Sequence, residues 1–360
     1  MLKYWKMISV YSVAHFFVDF ACAFLMFRFI SASQSWYTSL LIYNFCAFAM
    51  QMPIGIIADK VNRNYLFAAT GCIMIMTAFV FTGFPMLATV IVGLGNALFH
   101  IGGGIDVLNI SSNQRIETNA APRSVALGIF VSPGAFGVYF GTLLGRGDTD
   151  LFIPVIITLL IAATSIIMIR KKWSGSYIEN EPFNPIPIKS NSKFPVMLLA
   201  IMCIFLVVCL RSYTGLSIDF PWKGIGYWGV ALVCASAFGK AAGGFLADRY
   251  GFRQTSLITL SIAALLFFMP QLPLAGFGAI FLFNMTMPIT LCLMAGIFPR
   301  AKGFSFGLLT FALFLGFLPV YLGITAPPVW VFSLVAIGTL GLLCIGLHYT
   351  LINSKRNNDE

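Results

Sequence analysis

From Gln254 to Pro299 the chain carries no Asp, Glu, Lys or Arg, and from Gly303 to Ser354 it carries none again. Such stretches have almost nothing to present to water, so they constrain the fold more than any motif does. A bilayer-crossing helix takes about 20 apolar residues, and each stretch has room for two. The whole chain agrees. Of its 360 residues 59% are hydrophobic and 9% are charged, where a soluble domain carries about 25% charge, and the mean hydropathy is +0.90. A soluble enzyme, a disordered chain and a secreted disulfide scaffold are excluded, which leaves a polytopic helical membrane protein. The eight cysteines form no C-x-x-C pair and all lie in apolar runs. They read as small buried hydrophobes, neither disulfides nor metal ligands.

Cutting the apolar runs at charges and Gly/Pro turns predicts twelve spans, near 7–29, 36–57, 65–83, 86–110, 124–145, 151–169, 196–215, 225–246, 254–270, 273–296, 304–325 and 328–350. Breakers at Gly83–Pro85, Met269–Pro273 and Thr325–Pro328 divide overlong runs. The N-terminal run resembles a signal peptide but is long and contains His15 and Asp19, so it reads as a retained first span. Of the 22 Lys and Arg residues, 17 fall on one side of this arrangement, 4 on the other, and Lys240 within a span. The positive-inside rule makes the richer side, with both termini, cytoplasmic. The net charge of +10 is therefore a topology signal, and no soluble domain is left to carry a nucleic-acid surface. The polar, proline-rich stretch 171–195 reads as a cytoplasmic linker. It separates an N-terminal six-helix bundle (1–170) from a C-terminal one (196–350), followed by a cytoplasmic tail (351–360).

The two halves echo each other. Gly55-Ile-Ile-Ala-Asp59-Lys60-Val-Asn-Arg63 and Gly244-Phe-Leu-Ala-Asp248-Arg249-Tyr-Gly-Phe-Arg253 both fit G-x-x-A-D-[KR]-x-x-x-R, offset by 189. A second echo, Pro122-Arg123 and Pro299-Arg300, opens the fifth and eleventh spans. Paired matches at corresponding loops indicate a duplicated transporter. On these residues the chain resembles the major facilitator superfamily, whose signature loop is G-x-x-x-D-[RK]-x-G-[RK]-[RK]. The first copy departs at Asn62 and Asn64. Gly93-Leu-Gly-Asn96-Ala-Leu-Phe-His100 and His15-Phe-Phe-Val-Asp19 resemble spans 4 and 1 of the fosmidomycin-resistance-like branch, although Ile-Gly-Gly-Gly follows His100 here. The resemblance implies two six-helix bundles around a central cavity. It also implies a cytoplasmic gate in which Gly55, Asp59, Arg63, Gly244, Asp248, Arg249 and Arg253 latch one conformation. A carboxylate there is suited to face the positive end of a neighbouring helix, with the arginines pairing with it or with lipid headgroups. Span 5 (Gly128, Ser132, Pro133, Gly134, Gly137, Gly141, Gly145) resembles the family's antiporter motif with serine for one glycine. By its spacing it is a helix-packing stripe.

Ionisable groups within spans are costly, at roughly 2.5–3.5 kcal/mol for a central Asp on insertion scales, so each one is informative. His15 and Asp19 are one turn apart on one face of span 1, a pairing suited to proton coupling. His100 in span 4 is a third coupling candidate, with a substrate partner or a neutral histidine bonded to Asn96 as alternatives. Candidates for the substrate cavity are Asn44, Gln51, Asn96, Asp106, Lys240 and Asn284, with Thr286 beside them. Asp106 equally suits the latch. Lys240 either snorkels to the cytoplasmic face or points inward to an anion. Arg28, Arg211 and Asp219 fall near outer span ends and read as interfacial.

Rival classes find little support. His15-x-x-x-Asp19 is one residue short of an acyltransferase H-x-x-x-x-D, and no nucleophile elbow, H-E-x-x-H or P-loop is present. A three-ligand metal site at His15, Asp19 and His100 ranks below protons. The expectation is a multi-pass transporter of the cytoplasmic (cell) membrane, monomeric and without cofactor. It moves a small organic solute with proton coupling, and export is favoured by span 5. Uncoupled uniport, uptake with protons and a non-transporting sensor are the alternatives.

Overall fold

The computed structural model describes residues 4–118, 124–173 and 194–356. All regular structure among them is helical. In chain order the helices are α1 (Trp5–Ile30), α2 (Trp36–Val61), α3 (Asn64–Val80), α4 (Pro85–Thr118), α5 (Val125–Gly145) and α6 (Phe152–Trp173). They continue as α7 (Phe194–Ser217), α8 (Trp228–Tyr250), α9 (Phe252–Phe267), α10 (Pro273–Ile297), α11 (Lys302–Tyr321) and α12 (Val331–Arg356). Ten are long and apolar enough to cross a membrane. The other two, α3 and α9, are apolar but shorter. Helices suit such a chain because each satisfies its own backbone polar groups where no water can. Large apolar side chains such as Val80, Met168 and Leu274 point outward, as expected of surfaces solvated by lipid.

Most of the linker 171–195, the Pro122-Arg123 echo and the last four residues of the tail lie outside the described residues. The duplication is nevertheless visible in the packing. α1 packs on α4, α5 and α6, and α7 packs on α10, α11 and α12. α3 packs on α4 and α6, as α9 does on α10 and α12. Between the halves, α2 meets α11 and α5 meets α8, so the second helix of each half lies along the fifth of the other.

Local chemistry sets the interruptions. α1 ends in a π-helical turn, Met26–Ile30, and α2 contains another, Phe45–Ala49. Such bulges often mark functional sites. α5 breaks at Ser132, ahead of Pro133, which has no N–H to continue the ladder. The three glycines after His100 do not break α4. Added Cβ atoms there would meet Asn64 and Ala68 of α3, Tyr11 and Phe130, and Phe306 of α11, respectively. These glycines admit four neighbouring helices to one turn.

The departure at Asn62 also has a physical reading. Asn62 closes α2 in the left-handed region (φ 51°), and Gly251, its counterpart at offset 189, ends α8 at φ 85°. The position requires positive φ, which asparagine tolerates and β-branched residues do not. Asn62→Gly should therefore leave the melting temperature essentially unchanged. Asn62→Val should cost about 1–2 kcal/mol, measured by thermal unfolding in detergent.

Candidate functional site

His15 and Asp19 project from one face of α1, with Nε2 of His15 3.1 Å from Oδ2 of Asp19. α4 brings His100 against them. Its Nε2 lies 2.9 Å from His15 Nε2 and 3.7 Å from Asp19 Oδ1. Asn96, one turn earlier on α4, donates from Nδ2 to Asp19 Oδ1 at 3.1 Å. Both imidazoles are buried. The three candidate coupling residues thus form one cluster, together with one of the cavity candidates.

The far side of each ring decides its chemistry. His15 Nδ1 lies 2.7 Å from the carbonyl oxygen of Phe130, and His100 Nδ1 lies 2.9 Å from that of Asn96. Phe130 is among the last residues before the break in α5, where carbonyls lose their helical partners. A carbonyl only accepts, so each ring carries hydrogen on Nδ1. If both rings were neutral, two Nε2 lone pairs would face each other at 2.9 Å beside a carboxylate. The geometry calls for a cation among these atoms. One proton suffices, because an imidazolium donates to the second ring or to Asp19.

Span 5 contributes to the cluster through Gly134, where an added Cβ would fall against His15 Nε2 and Asp19 Oδ2. Gly137 and Gly141, further along the stripe, lie against the α1 backbone at Phe16 and Phe20. Gly134→Ala should cost about 1–3 kcal/mol by overpacking and also part His15 from Asp19, which histidine nitrogen NMR reads directly. Gly141→Ala should cost stability and leave the histidine signals unchanged.

The expected gate has a different geometry at its arginines. Asp59 accepts backbone N–H bonds from Gly303 (2.8 Å) and Phe304 (2.9 Å), at the start of α11. Asp248 accepts from the backbone of Ser124 and Val125 at the start of α5, and the Ser124 hydroxyl lies 2.8 Å away. Each carboxylate therefore sits on a helix N-terminus of the opposite half. Gly55 lies backbone to backbone against Gly303, and Gly244 against Ser124 and Val125. Lys302 adds a crossing bond to Asn109 Oδ1 at 2.7 Å. Arg63, Arg249 and Arg253 are exposed. Among the described residues no ion pair joins them to Asp59 or Asp248, and backbone amides are partners of both carboxylates.

No protein-family model and no curated protein matches the sequence. Solved structures do. The E. coli fucose:proton symporter superposes with a TM-score of 0.59 at 12% identity, covering 95% of this chain and 99% of that one. The human organic anion transporter MFSD10 gives 0.61 at 14% identity, covering 94% and 99%. A bacterial homologue of the iron transporter ferroportin, in an outward-facing state, gives 0.58 at 14%, covering 97% and 99%. The chain has the major facilitator fold.

Within that fold the remaining candidates separate. Asp106 is buried away from the histidines, accepting from Tyr11 (2.6 Å) and Asn64 (2.9 Å). Asn44, Gln51 and Asn284 each donate to the carbonyl four residues back on their own helix. Gln51 and Lys240 occupy matching seams, since the Cβ of a residue at Gly307 would meet the Gln51 carbonyl and one at Gly128 the Lys240 carbonyl. Arg211 corrects the interfacial reading. It is 6% exposed and donates to Thr290 Oγ1 of α10 at 3.2 Å. It lies six residues before the end of α7, about 9 Å at helical rise, and faces inward. Arg28 lies near the end of α1, bonded to Gly147 and Asp148. The sequence reading also missed Ser124, Asn109 and Tyr11. For Ser124, the Pro-Arg echo just before α5 was the available pointer.

Proposed function

We propose that the chain is a secondary transporter of a small organic solute, with twelve spans in two six-helix bundles (1–170 and 196–350) and both ends cytoplasmic. The bundles rock about the α2/α11 and α5/α8 seams. Protons drive the cycle through His15, Asp19 and His100. The observation that carries the coupling is the tautomer constraint: two imidazoles and a carboxylate, each ring anchored at Nδ1, share a space that is stable when a cation enters it. A buried ionisable cluster on two helices of one bundle is the arrangement a proton relay needs. The solved neighbour titled a fucose:proton symporter agrees with this reading. The latches at Asp59 and Asp248, on the Lys/Arg-rich side, correspond to a state closed to the cytoplasm. The glycine stripe of α5 packs against α1, and the flux assay decides between export and uptake.

A second reading has its own observation. The donor atoms of His15, Asp19 and His100 lie within 4.8 Å of one another, and metal-ligating histidines are oriented by just such bonds at their other nitrogen. A transition metal is then the cation. One of the similar solved structures is a bacterial homologue of the iron transporter ferroportin.

The test uses proteoliposomes holding the purified chain and a trapped pH dye. Pooled organic solutes are added with and without an imposed pH gradient, and divalent metals are added separately. A pool that moves protons with it supports the proposal. Solute flux indifferent to pH favours uniport, metal flux favours the second reading, and no flux from any pool overturns transport.

A further inference from the structure

The first and fourth helices of the second bundle carry a buried polar pair of their own, with a cation where the first bundle has a carboxylate. Cys22, one turn beyond Asp19, receives a bond from Asn96. At offset 189 its counterpart is Arg211. His100 on α4 corresponds, one residue off that spacing, to Thr290 on α10. The pair Arg211–Thr290 therefore joins the first and fourth helices of the second bundle, as Asp19–His100 joins those of the first.

Arg211 is buried, and among the described residues no carboxylate pairs with it. Thr290 engages one of its five N–H donors. Lys240, on α8, lies deep in the protein yet keeps a partly accessible surface, and no hydrogen bond or ion pair holds its ammonium among the described residues. It lies within electrostatic reach of both Arg211 and Asp19. Two cations held inside the membrane, against the single Asp19 carboxylate near Lys240, leave positive charge uncompensated. A guanidinium fork with free donors matches an oxyanion bidentately.

We propose that Arg211, Lys240 and Thr290 bind an oxyanion, carboxylate or phosphate, carried by the transported solute. This rests on the transporter reading above and names its substrate class. The charged and titratable groups around the site include His15, Asp19 and Cys22 from α1, Tyr43 from α2, His100 from α4, Tyr321 from α11, Arg211 and Lys240. A proton on the histidine pair adds positive charge near the anion, so each favours the other's binding. The two then travel together, as cotransport.

The experiment is a thermal-shift titration of the full chain in detergent at pH 6 and pH 8. The probes are sodium acetate, benzoate and decanoate, each against its neutral amide, and inorganic phosphate against chloride of equal ionic strength. At least one anion is expected to bind tenfold or more tightly than its control. Arg211→Gln and Lys240→Gln should each weaken that binding at least tenfold, and Arg211→Lys should weaken it less than Arg211→Gln. In the wild-type chain, that anion should protect Arg211 from phenylglyoxal, read by peptide mass spectrometry, so the outcome does not depend on a variant folding. Equal binding of amide and anion, no anion binding, or unchanged binding in a folded Arg211→Gln protein overturns the proposal. Anion binding of equal strength at both pH values leaves the oxyanion site standing and sinks proton coupling instead.

Discussion

Asp19→Asn should cut proton-driven accumulation by about 10–150-fold, while solute counterflow between equal pools continues. The expectation follows from charge. Asp19 holds the cluster together by accepting from Asn96 at 3.1 Å and by lying 3.1 Å from His15 and 3.7 Å from His100. An asparagine preserves the volume and one acceptor but cannot balance an imidazolium. A hydrogen bond to a charged group is worth about 1.5–3 kcal/mol, equivalent to about 10–150-fold in proton affinity. His100→Gln should behave alike, because it removes the second Nε2 from the pair. The measurement is radiolabelled solute uptake into proteoliposomes, with a pH gradient for accumulation and without one for counterflow. Accumulation at wild-type rate in either variant would place coupling elsewhere. Loss of accumulation and counterflow together would identify a folding defect or a substrate-binding role, and size-exclusion behaviour separates those two.

Much of this arrangement was legible in the sequence because burying charge in lipid is costly. Charge-free runs mark helices, and the few ionisable residues within them mark the place where helices meet. His15, Asp19 and His100 stand out on that ground alone, and the structure brings them into one cluster. What the sequence could not carry was facing. Arg211 and Arg28 look alike in a hydropathy reading, since both precede a span end by a few residues. Only the packing of α7 against α10 turns Arg211 inward to Thr290, while Arg28 meets Asp148 at the surface. Asn44, Gln51 and Asn284 are the converse case, polar residues that each donate to a carbonyl of their own helix.

The geometry at Asp59 and Asp248 was only partly legible for another reason. Arginines beside aspartates in a motif suggest ion pairs, but backbone N–H groups have no letter in a sequence. Gly303 and Phe304, or Ser124 and Val125, are donors only because they begin helices. Their counterparts are 179 residues apart, close to the 177 of the Pro-Arg echo.

That geometry makes the double variant Asp59→Asn, Asp248→Asn the strongest test of alternation. Each carboxylate accepts two backbone N–H bonds from a helix N-terminus across the halves, an interaction made only while the halves are closed on this side. Neutralising one leaves a single acceptor and removes the attraction to the helix dipole, at a cost of about 1–2 kcal/mol. The sites are on separate seams, so their effects should add. The closed state should lose about 2–4 kcal/mol, a shift of about 30- to 1,000-fold in population toward the open one. Cys292 reports it. The thiol is buried on α10 and lies near Asp248, so a maleimide reaches it only when the latch side parts. Peptide-level labelling of Cys292 should accelerate at least 30-fold in the double variant and by the square root of that factor in each single variant. Buried Cys72 of α3 should label at an unchanged rate, which distinguishes opening from unfolding. Unchanged labelling of Cys292 would mean that these carboxylates only anchor the ends of α2 and α8. The closed state would then owe its stability to the apolar seams, where Phe45 meets Phe314 and Phe136 meets Phe238.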